Sequence, residues 1–509
     1  MTVSLSVSWD DAKKKRTTAL CLALLLLALP LRTTTGAARQ STAGVIVQAI
    51  GGRIDAARNS VIDAGGRVTA DLGIIQGFTA DVPATALDAL RNAPGIASVT
   101  ADTAVTLNSI TDGYDQAADA GSIYTTDRIV GARAAWANGL TGAGIDVALV
   151  DSGVVPVDGL RGAGKVVFGP DFSDEAGDDN VRGLDTFGHG TDMAGIIAGR
   201  EDDVAPDVRP GAQDFAGVAP DARIVSIKVA DATGATDMSR VLAGINWAVA
   251  HRRDNGLNIR VLNLSFGVQG FGSPAFDPLV RAVDAAWASG IVVVVSAGNR
   301  GADSNGLDSP ARSARVIAVG ADDAGGTTAV DDDAIPNFSS SGDGNRNPDL
   351  VAPGRSVVSL RDPGSYIDQR NPQARVGSSL FRGSGTSPAA AVVSGCAALL
   401  LEQRPDLSPD QVKTLLTSTA NAVPGVRATR QGAGFVDLRD AIAAPTPDAP
   451  SGLSVSVPRM SVDTSGLSTW TSPSGNTWDG NSWSGNSWSS SAWSGNSWSG
   501  NSWSMVEAG

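Results

Sequence analysis

The chain has 509 residues, more than one compact core usually holds, so two to four structural units are expected. A formal net charge of −14 argues against nucleic acid as a partner, because phosphate backbones repel an acidic surface. There are two cysteines. Cys21 lies in a segment that we expect to be removed, which excludes an internal disulfide from the remaining chain. Cys396, in an apolar run, is predicted to be a small buried hydrophobe.

The first residues have the order of a secretory signal peptide. Basic residues at 13–16 precede the apolar run Ala19–Leu31, and small residues follow at 36–38. The run is shorter than the ~20 residues that span a bilayer. We therefore predict a signal peptide over residues 1–38 and a secreted protein, with an uncleaved anchor as the alternative.

Residues 41–107 are predicted to form a small α+β unit. The patterns indicate five elements: strand Gly44–Ile50, helix Arg53–Ala64, hairpin Arg67–Val82, short helix Thr85–Asn92 and final strand Ile96–Leu107. The resulting order βαββαβ is typical of a ferredoxin-like fold. A core of about 65 residues is marginal, so this unit is expected to need a partner to stay folded.

Residues 120–443 alternate Val/Ile-rich strands with helical segments. Near-continuous apolar strands joined by helices predict an α/β fold with a parallel sheet covered on both faces. The predicted strands are Gly144–Val150, Ala222–Val229, Ile259–Leu264, Ile291–Val295 and Arg315–Gly320, and the clearest helices are Asp237–Arg252, Pro278–Ala288 and 408–420. Ser408, Pro409 and Gln411 provide a cap, a first-turn proline and a capping box for the last of these.

A linker is predicted over residues 444–466 and a low-complexity tail over 467–509. The linker begins with alternating prolines, and from Trp478 to Trp503 a tryptophan falls every five residues among Ser, Gly and Asn. Three interpretations stay open for the tail. It is a flexible wall-spanning or processed extension, a stack of ordered pentads, or a surface whose tryptophan rings bind glycans.

Three separated segments each place a reactive group at the end of a predicted element. An apolar strand ends at Asp151, His189 stands between two glycines at a helix start, and Ser387 precedes an Ala/Val-rich helix. Each has a structural alternative when taken alone: a turn-forming Asp, a structural His and an N-cap Ser. The other histidine, His251, stands beside two arginines at a predicted helix end, where we expect a solvated role.

Together these segments contain a nucleophile, an imidazole base and an orienting carboxylate, which serine-dependent acyl transfer requires. Their order along the chain, Asp, His and then Ser, is one of three known orders for this geometry. A fourth segment, Ser296–Asn299, follows another predicted buried strand. Its asparagine amide can donate to an oxyanion.

On these four segments, DSG, GHGT, SAGN and GTS, the chain resembles the subtilisin-like serine proteases, or subtilases, over residues 120–443. Residues 41–107 resemble the inhibitory propeptide of the same family. The resemblance implies a three-layer α/β fold with a central parallel sheet, preceded by the ferredoxin-like α+β prosegment. It also implies a secreted serine endopeptidase made as a zymogen, which removes its own prosegment by cleavage within 105–122.

The resemblance also implies the role of each site residue. Ser387 attacks the scissile carbonyl, His189 transfers the proton, and Asp151 holds the imidazole tautomer. Asn299 and the Ser387 backbone N–H bind the oxyanion. Two further segments correspond to the substrate-binding surface: one wall of the primary specificity pocket at Ser265, Phe266 and Gly267, and the strand that pairs with the substrate backbone at Gly234, Ala235 and Thr236.

Two positions depart from the family pattern. Asp192 stands where members often have a second, non-catalytic histidine, and Pro388 follows the serine where Met is usual. Neither removes a group that the chemistry needs, since proline is tolerated at the start of a helix.

No cofactor is required for the chemistry. Many subtilases bind structural calcium, but the acidic clusters Asp174–Asp179 and Asp331–Asp333 lack EF-hand spacing, and we expect them to be solvated loops. No metal ligand is therefore assigned. The expected partners are protein or peptide substrates, the chain's own propeptide as inhibitor, and cell-wall glycan through the tail. The alternative function is a cell-wall or glycan-associated binding protein whose protease domain is vestigial.

Overall fold

The structure is a computed structural model that describes residues 42–107, 119–202, 210, 214–269 and 273–448, with three two-residue strands in the tail at 470–471, 477–478 and 483–484. The predicted signal peptide and most of the predicted linker and tail lie outside the described residues. Within the described part of the chain, no helix is long and apolar enough to cross a membrane.

The N-terminal unit, residues 42–107, contains the predicted ferredoxin-like sheet. Its elements are β1 Thr42–Ala49, α1 Ile54–Asp63, β2 Arg67–Leu72, β3 Gly77–Pro83, α2 Leu87–Leu90, β4 Ile96–Ala101 and β5 Ala104–Leu107. The first four strands pair antiparallel in the order β2-β3-β1-β4.

The prediction of one final strand over Ile96–Leu107 was wrong, because the chain changes sheets after Ala101. Asp102 Oδ1 accepts a hydrogen bond from the Ser239 N–H at 3.1 Å, and the Thr103 carbonyl accepts one from the Met238 N–H at 3.1 Å. These contacts direct β5 into a different sheet from β4. The strand-like pattern of the sequence continues from Ile96 to Leu107, so it does not show where the chain leaves one sheet for the other.

The central sheet has seven parallel strands in the order β14-β13-β12-β10-β6-β8-β7. Their bounds are β6 Asp146–Asp151, β7 Val166–Asp171, β8 Arg223–Lys228, β10 Ile259–Leu264, β12 Val292–Ser296, β13 Ile317–Asp322 and β14 Leu350–Pro353. Successive side chains of a strand point to opposite faces, and β6, β10, β12 and β13 are buried at every position. Both faces of the sheet are therefore covered, as the apolar strand pattern predicted.

The two strands that sequence patterns did not indicate, β7 and β14, lie at the two edges of this sheet. Each contains a proline, Pro170 or Pro353, which cannot donate a hydrogen bond to a neighbouring strand. Proline is tolerated at an edge, where one side of the strand needs no partner. The same residue makes the strand hard to recognise in the sequence.

The most extensive helix–helix packing around the sheet is between α5 and α9 and between α6 and α7. The helices of this part are α3 Ile123–Val130, α4 Ala132–Ala137, α5 His189–Ala198, α6 Met238–Ala250, α7 Pro278–Ala288, α8 Tyr366–Arg370, α9 Thr386–Gln403, α10 Pro409–Ser418, α11 Ala428–Gln431 and α12 Leu438–Ala443. Helix α9 is buried from Thr386 to Leu401, which explains its apolar composition on all sides. Its Cys396 is fully buried and its thiol is free, and burial raises the pKa of that thiol.

Two small antiparallel sheets complete the fold. One has the order β11-β5-β9 and joins the N-terminal unit to β9 Ala235–Asp237 and β11 Phe266–Gly267. The other has the order β15-β17-β16, with β15 Val357–Leu360, β16 Arg375–Val376 and β17 Leu380–Gly383. The predicted capping box of α10 is present, with Ser408 and Gln411 bonding reciprocally.

The buried carboxylate of Asp146 ties the amino ends of three sheet strands together. It accepts 2.6 Å hydrogen bonds from both Nε and Nη2 of Arg223 on β8, and another from the Asn258 N–H just before β10. Asp146 is fully buried, whereas the Arg223 side chain is 36% exposed. Loss of this cluster is therefore expected to destabilise the fold mainly through the buried hydrogen-bonding groups around Asp146, because Arg223 can still be solvated.

We expect Asp146→Ala to lower the free energy of unfolding by about 3 kcal/mol, near the lower end for breaking a buried pair, because Arg223 reaches water. Urea unfolding in a Ser387→Ala background, which avoids self-digestion, measures the effect. Asp158→Ala is the matched control, since Asp158 pairs with Arg161 on the surface, where such pairs contribute little. Equal urea midpoints for the two variants would contradict the expectation.

Candidate active site

The parallel sheet brings three of the singled-out segments to one edge. Strand β6 ends at Asp151, Ser265 follows β10, and Asn299 lies three residues after β12. These strands are neighbours, and the carboxyl ends of parallel strands share one edge. Leu149 pairs with Asn263, so two residues further on Asp151 is level with Ser265.

Asp151 and His189 form a buried hydrogen-bonded pair. His189 Nδ1 lies 2.8 Å from Asp151 Oδ1 and 3.0 Å from Oδ2, and both side chains are 1% exposed. A carboxylate can only accept here, so Nδ1 carries the proton and Nε2 has the lone pair. Among the described residues Nε2 has no hydrogen-bond partner. The imidazole is thus arranged to accept a proton at Nε2.

Two residues that the sequence reasoning missed support this pair. The Ser152 N–H donates to Asp151 Oδ1 at 2.8 Å, and the Ser152 hydroxyl donates to Asp185 Oδ1 at 2.8 Å. Asp185 also accepts from the Gly188 N–H at 2.7 Å and from the Thr191 N–H at 2.8 Å. Asp185 therefore fixes the start of α5 and links it to the turn after β6. Asp185 lies three residues before the GHGT motif, so the motif did not indicate it.

The glycine after His189 is required by the close approach of two backbones. A Cβ atom at Gly190 would lie 2.1 Å from the Gly153 carbonyl oxygen. The Gly190 N–H donates to the Ser152 hydroxyl at 2.9 Å, which brings the start of α5 against the turn after β6. A side chain at Gly190 would push the imidazole away from Asp151.

Buried charges shift the pKa values around the imidazole. Burial opposes a positive charge on His189, but the charge and hydrogen bond of Asp151, with further charge from Asp192 and Asp185, raise the pKa of His189 above its ordinary value. Burial raises the pKa of Asp192 well above its usual range; His189 opposes this shift, and Asp185 and Asp151 add to it. The charge of the imidazole is therefore coupled to the charges of these buried carboxyl groups.

Ser387 is the second residue of α9 and is fully buried. Its hydroxyl donates to the Ser265 carbonyl at 3.0 Å, next to the carboxyl end of β10. The position suits a nucleophile because the positive end of the helix dipole stabilises developing negative charge. The hydroxyl has to turn away from Ser265 to donate to His189 Nε2.

Asn299 is held by the residue before the serine. Its Oδ1 accepts from the Thr386 N–H at 3.0 Å and from the Thr386 hydroxyl at 3.1 Å. Because Oδ1 faces these two donors, the Asn299 Nδ2 atom points away from them. This Nδ2 atom is buried and has no hydrogen-bond partner among the described residues. Nδ2 is therefore a free, preorganised donor. Thr386 was missed in the sequence, although it lies inside the GTS motif.

The two predicted substrate-binding segments lie on either side of one strand. Strand β5 pairs with β9, where Val105 is opposite Thr236 and Thr106 is opposite Ala235. It also pairs with β11, where Leu107 is opposite Phe266 and Thr106 is opposite Gly267. Gly234 precedes β9 in a turn at φ +77°, and Ser265 precedes β11. All six predicted residues thus border the groove that β5 occupies.

The expectation of a solvated role for His251 was wrong. The ring is 6% exposed, stacks on Trp247 with centroids 4.6 Å apart, and its Nδ1 lies 2.9 Å from the Trp247 carbonyl. Helix α6 ends at Ala250, which folds the ring back over the preceding turn. The flanking arginines indicated that the His251 ring would be exposed to solvent. Whether a helix end is covered depends on tertiary packing, which the local sequence does not show.

The acidic clusters do not form a metal site in the described part of the chain, where no three His, Cys, Asp or Glu side chains are placed to hold an ion. Asp174 pairs with Arg240 and Asp179 with Arg182. These two carboxylates therefore have arginine partners within the described residues.

The fold and site define a serine-type hydrolase with a buried Asp–His pair, and comparison with known proteins gives its family. The sequence profile of the Subtilase family matches residues 142–434, more than half of the chain, and the chain belongs to this family. It is a serine-type endopeptidase that acts on protein or peptide substrates and needs no cofactor for its chemistry.

Individual relatives agree with this assignment. The chain is 38% identical over 309 residues to serine protease AprX of Bacillus subtilis (strain 168), covering 60% of this chain and 67% of that protein. It is 36% identical over 287 residues to subtilisin DY of Bacillus licheniformis, covering 56% and 86%. The solved structure of fervidolysin from Fervidobacterium pennivorans superposes with a TM-score of 0.60 at 26% identity, over 80% of this chain and 62% of that one.

Substitutions of Asn299 and of Thr386, which holds the Asn299 amide, are expected to lower kcat by different amounts. We expect Asn299→Ala to lower kcat by about 10²–10³ with little change in KM, a magnitude known from another subtilisin. Thr386→Val removes one of two donors to Asn299 and should lower kcat roughly tenfold. Steady-state hydrolysis of a chromogenic peptide measures both effects. Thr386→Ser keeps the hydroxyl and should retain activity, and an inactive Ser variant would argue against this support.

Proposed function

We propose that the chain is a secreted endopeptidase made as a self-processed zymogen and that it cleaves peptide bonds through an acyl-enzyme. Ser387 attacks the carbonyl, and its proton passes to His189 Nε2. The bond from His189 Nδ1 to Asp151 holds the tautomer and stabilises the imidazolium. Asn299 Nδ2 and the Ser387 N–H stabilise the oxyanion. The imidazolium then protonates the leaving amine, and water releases the acyl group by the reverse sequence.

One observation carries the zymogen proposal: β5 lies as a strand between β9 and β11. A protease that binds extended peptides adds them as a strand to an open edge, and β5 fills that position with a segment of the same chain. While β5 is in place, no substrate can pair with either edge. The prosegment is thus a competitive inhibitor held next to the catalytic serine.

The remainder of the prosegment packs against two helices of the protease. Ile46, Leu72, Ile74 and Ile75 belong to the same buried apolar cluster as the protease core, and the turn from 73 to 75 lies against α7 and α6. A separate cluster, which includes Val47 and Phe78, fills the prosegment's own interior. The prosegment therefore buries apolar surface that a lone unit of this size would expose, which suits a marginally stable domain.

The strand register predicts the bond that self-processing cleaves. Leu107 pairs with Phe266 and Thr106 with Gly267, so an extension of this antiparallel register by one residue assigns the residue after Leu107 to Ser265, whose carbonyl accepts from the Ser387 hydroxyl. We therefore expect cleavage between Asn108 and Ser109. Intact-mass analysis and N-terminal sequencing of the purified protein should show a mature chain that begins at Ser109.

The matched control is Ser387→Ala, which lacks the nucleophile but keeps the fold. It should retain residues 39–108 as an uncleaved chain in a pure preparation. Removal of the prosegment from this variant would show that another protease does the processing. A mature chain that begins elsewhere in 105–122 would retain self-processing but overturn the register argument.

Two carboxylates meet where the prosegment contacts α6, which makes inhibition depend on pH. Burial and then the charge of Asp237 raise the pKa of Asp102 from its usual 3.8 to about 6, against the bonds from Ser239 and the charge of Arg240. After release, water returns the Asp102 pKa to its ordinary value. Between pH 4 and pH 6 the bound prosegment thus holds a proton that the released one gives up.

Inhibition should therefore be strongest below pH 4 and weaken by about 100-fold in affinity by pH 6. The processed enzyme, from which the cleaved prosegment has not been removed, is equilibrated at each pH. It is then transferred to one common pH, where a brief peptide-hydrolysis assay measures the fraction of enzyme that is still inhibited. Asp102→Asn keeps the oxygen acceptor without the charge and should inhibit equally at all these pH values. An unchanged pH profile in that variant would exclude Asp102 as the titrating group.

Export through residues 1–38 and glycan binding by the tail are part of the same proposal and stay predictions. In the tail, Trp470 pairs with Trp478, and Trp478 pairs with Trp483, across three short antiparallel strands. The five-residue tryptophan repeat of the sequence supports glycan binding, because exposed indole rings can stack on sugar faces. Cell-wall association would follow from such binding.

A further inference from the structure

A groove of about 730 Å³ lies on the protease part, at the end of the sheet opposite the catalytic residues. It is lined where β10 begins, where α6 and α7 end, before β13, and where α10 begins. Among the described lining residues are four arginines and one acid: Arg252, Arg253, Arg260, Arg315 and Asp410. The volume is in the range of small-molecule sites.

The four guanidinium groups have no carboxylate partner within the described residues. Arg252 donates to the Val249 carbonyl, and Arg260 donates to the Pro405 and Leu407 carbonyls at 2.6 and 2.9 Å. These bonds give Arg252 and Arg260 a structural role as well. Arg253 bonds only the Asn258 side-chain oxygen, and the Arg315 guanidinium lacks a hydrogen bond in the described part of the chain.

One lining acid, Asp410, faces the four arginines, and from outside the lining the charge of Asp406 acts on Arg260 and that of Asp284 on Arg315. Asp410 Oδ1 accepts from Trp287 Nε1 at 3.0 Å. Arg260 is 8% exposed, and burial together with the charge of Arg253 lowers its pKa. Positive charge thus accumulates at this groove in a chain whose net charge is −14.

We propose that this groove binds a ligand with two or more oxyanion charges, of the phosphate or dicarboxylate kind. The planar guanidinium fork matches both groups, and several unpaired arginines match a multiply charged ligand better than a single charge. The first turn of the ten-residue α10 adds the positive end of its dipole to the same groove.

The site is separate from catalysis. Strand β10 begins at the groove with Ile259 and ends at Leu264, just before Ser265, and six extended residues span roughly 20 Å. A bound oxyanion therefore cannot touch the scissile bond. Its effect is to stabilise the fold by binding the native state.

The test uses the full chain carrying Ser387→Ala, titrated by calorimetry with inorganic phosphate and with succinate, at an ionic strength held constant with chloride. Thermal unfolding is followed in the same buffers. We expect saturable binding of at least one dianion and a rise in Tm. Tighter phosphate binding would identify a phosphate-bearing ligand, and tighter succinate binding a dicarboxylate; both support the site.

The variant is Arg253→Gln with Arg315→Gln, which removes two charges that support no backbone carbonyl. It should weaken dianion binding at least tenfold while its Tm in chloride stays that of the parent. Arg281→Gln, on α7 but outside the groove, is the matched control and should bind as the parent does.

With the active enzyme, the dianion should leave kcat/KM for a short neutral peptide unchanged. No saturable binding, or equal binding by the double variant and the control, would overturn the proposal.

Discussion

The parallel pairing of β6 with β10, and of β10 with β12, is the constraint on which the site depends. Backbone hydrogen bonds hold the three strands in register, so their carboxyl ends stop at one edge. Asp151, Ser265 and Asn299 come from chain segments more than 30 residues apart and meet there because their strands are neighbours. Helices α5 and α9 then begin at the same edge and deliver His189 and Ser387. A shift of one residue in this register would turn each side chain to the other face of the sheet.

The protein buries many acidic side chains in its low-dielectric core, and their negative charge is either compensated by hydrogen bonds or removed by protonation. Some carboxylates are fully bonded, such as Asp185, which accepts from backbone N–H groups and a hydroxyl and so holds the Asp151–His189 pair. Others are uncompensated: burial and neighbouring acids raise the pKa of both Asp322 and Asp362 to about 9. A neutral acid costs much less to bury than a carboxylate.

The contact between the prosegment and α6 combines these features. Asp237 caps α6, and Asp102 of the prosegment bonds the adjacent Ser239 N–H at the same helix start. The helix dipole favours one negative charge at this position, and the second carboxylate raises the energy of the pair. In the proposed zymogen, the apolar contacts of Ile74 and Ile75 hold the prosegment on the protease, and this acid pair opposes them once its proton is lost.

The sequence by itself determined the fold class, the ferredoxin-like order of the N-terminal unit, the inner strands of the sheet and the residue types of the site. These follow from local signals: apolar runs, glycines beside His189, a proline after a capping serine, and short motifs. Tertiary structure alone decided that Ile96–Leu107 is divided between two sheets, that Pro170 and Pro353 lie in edge strands, and that His251 is buried. It also decided that Thr386 orients Asn299, that Asp185 supports Asp151 through Ser152, and that four arginines meet at one groove. Periodicity records which residues prefer burial or a turn, whereas a partner distant along the chain leaves no local pattern, because its identity depends on how the strands pair.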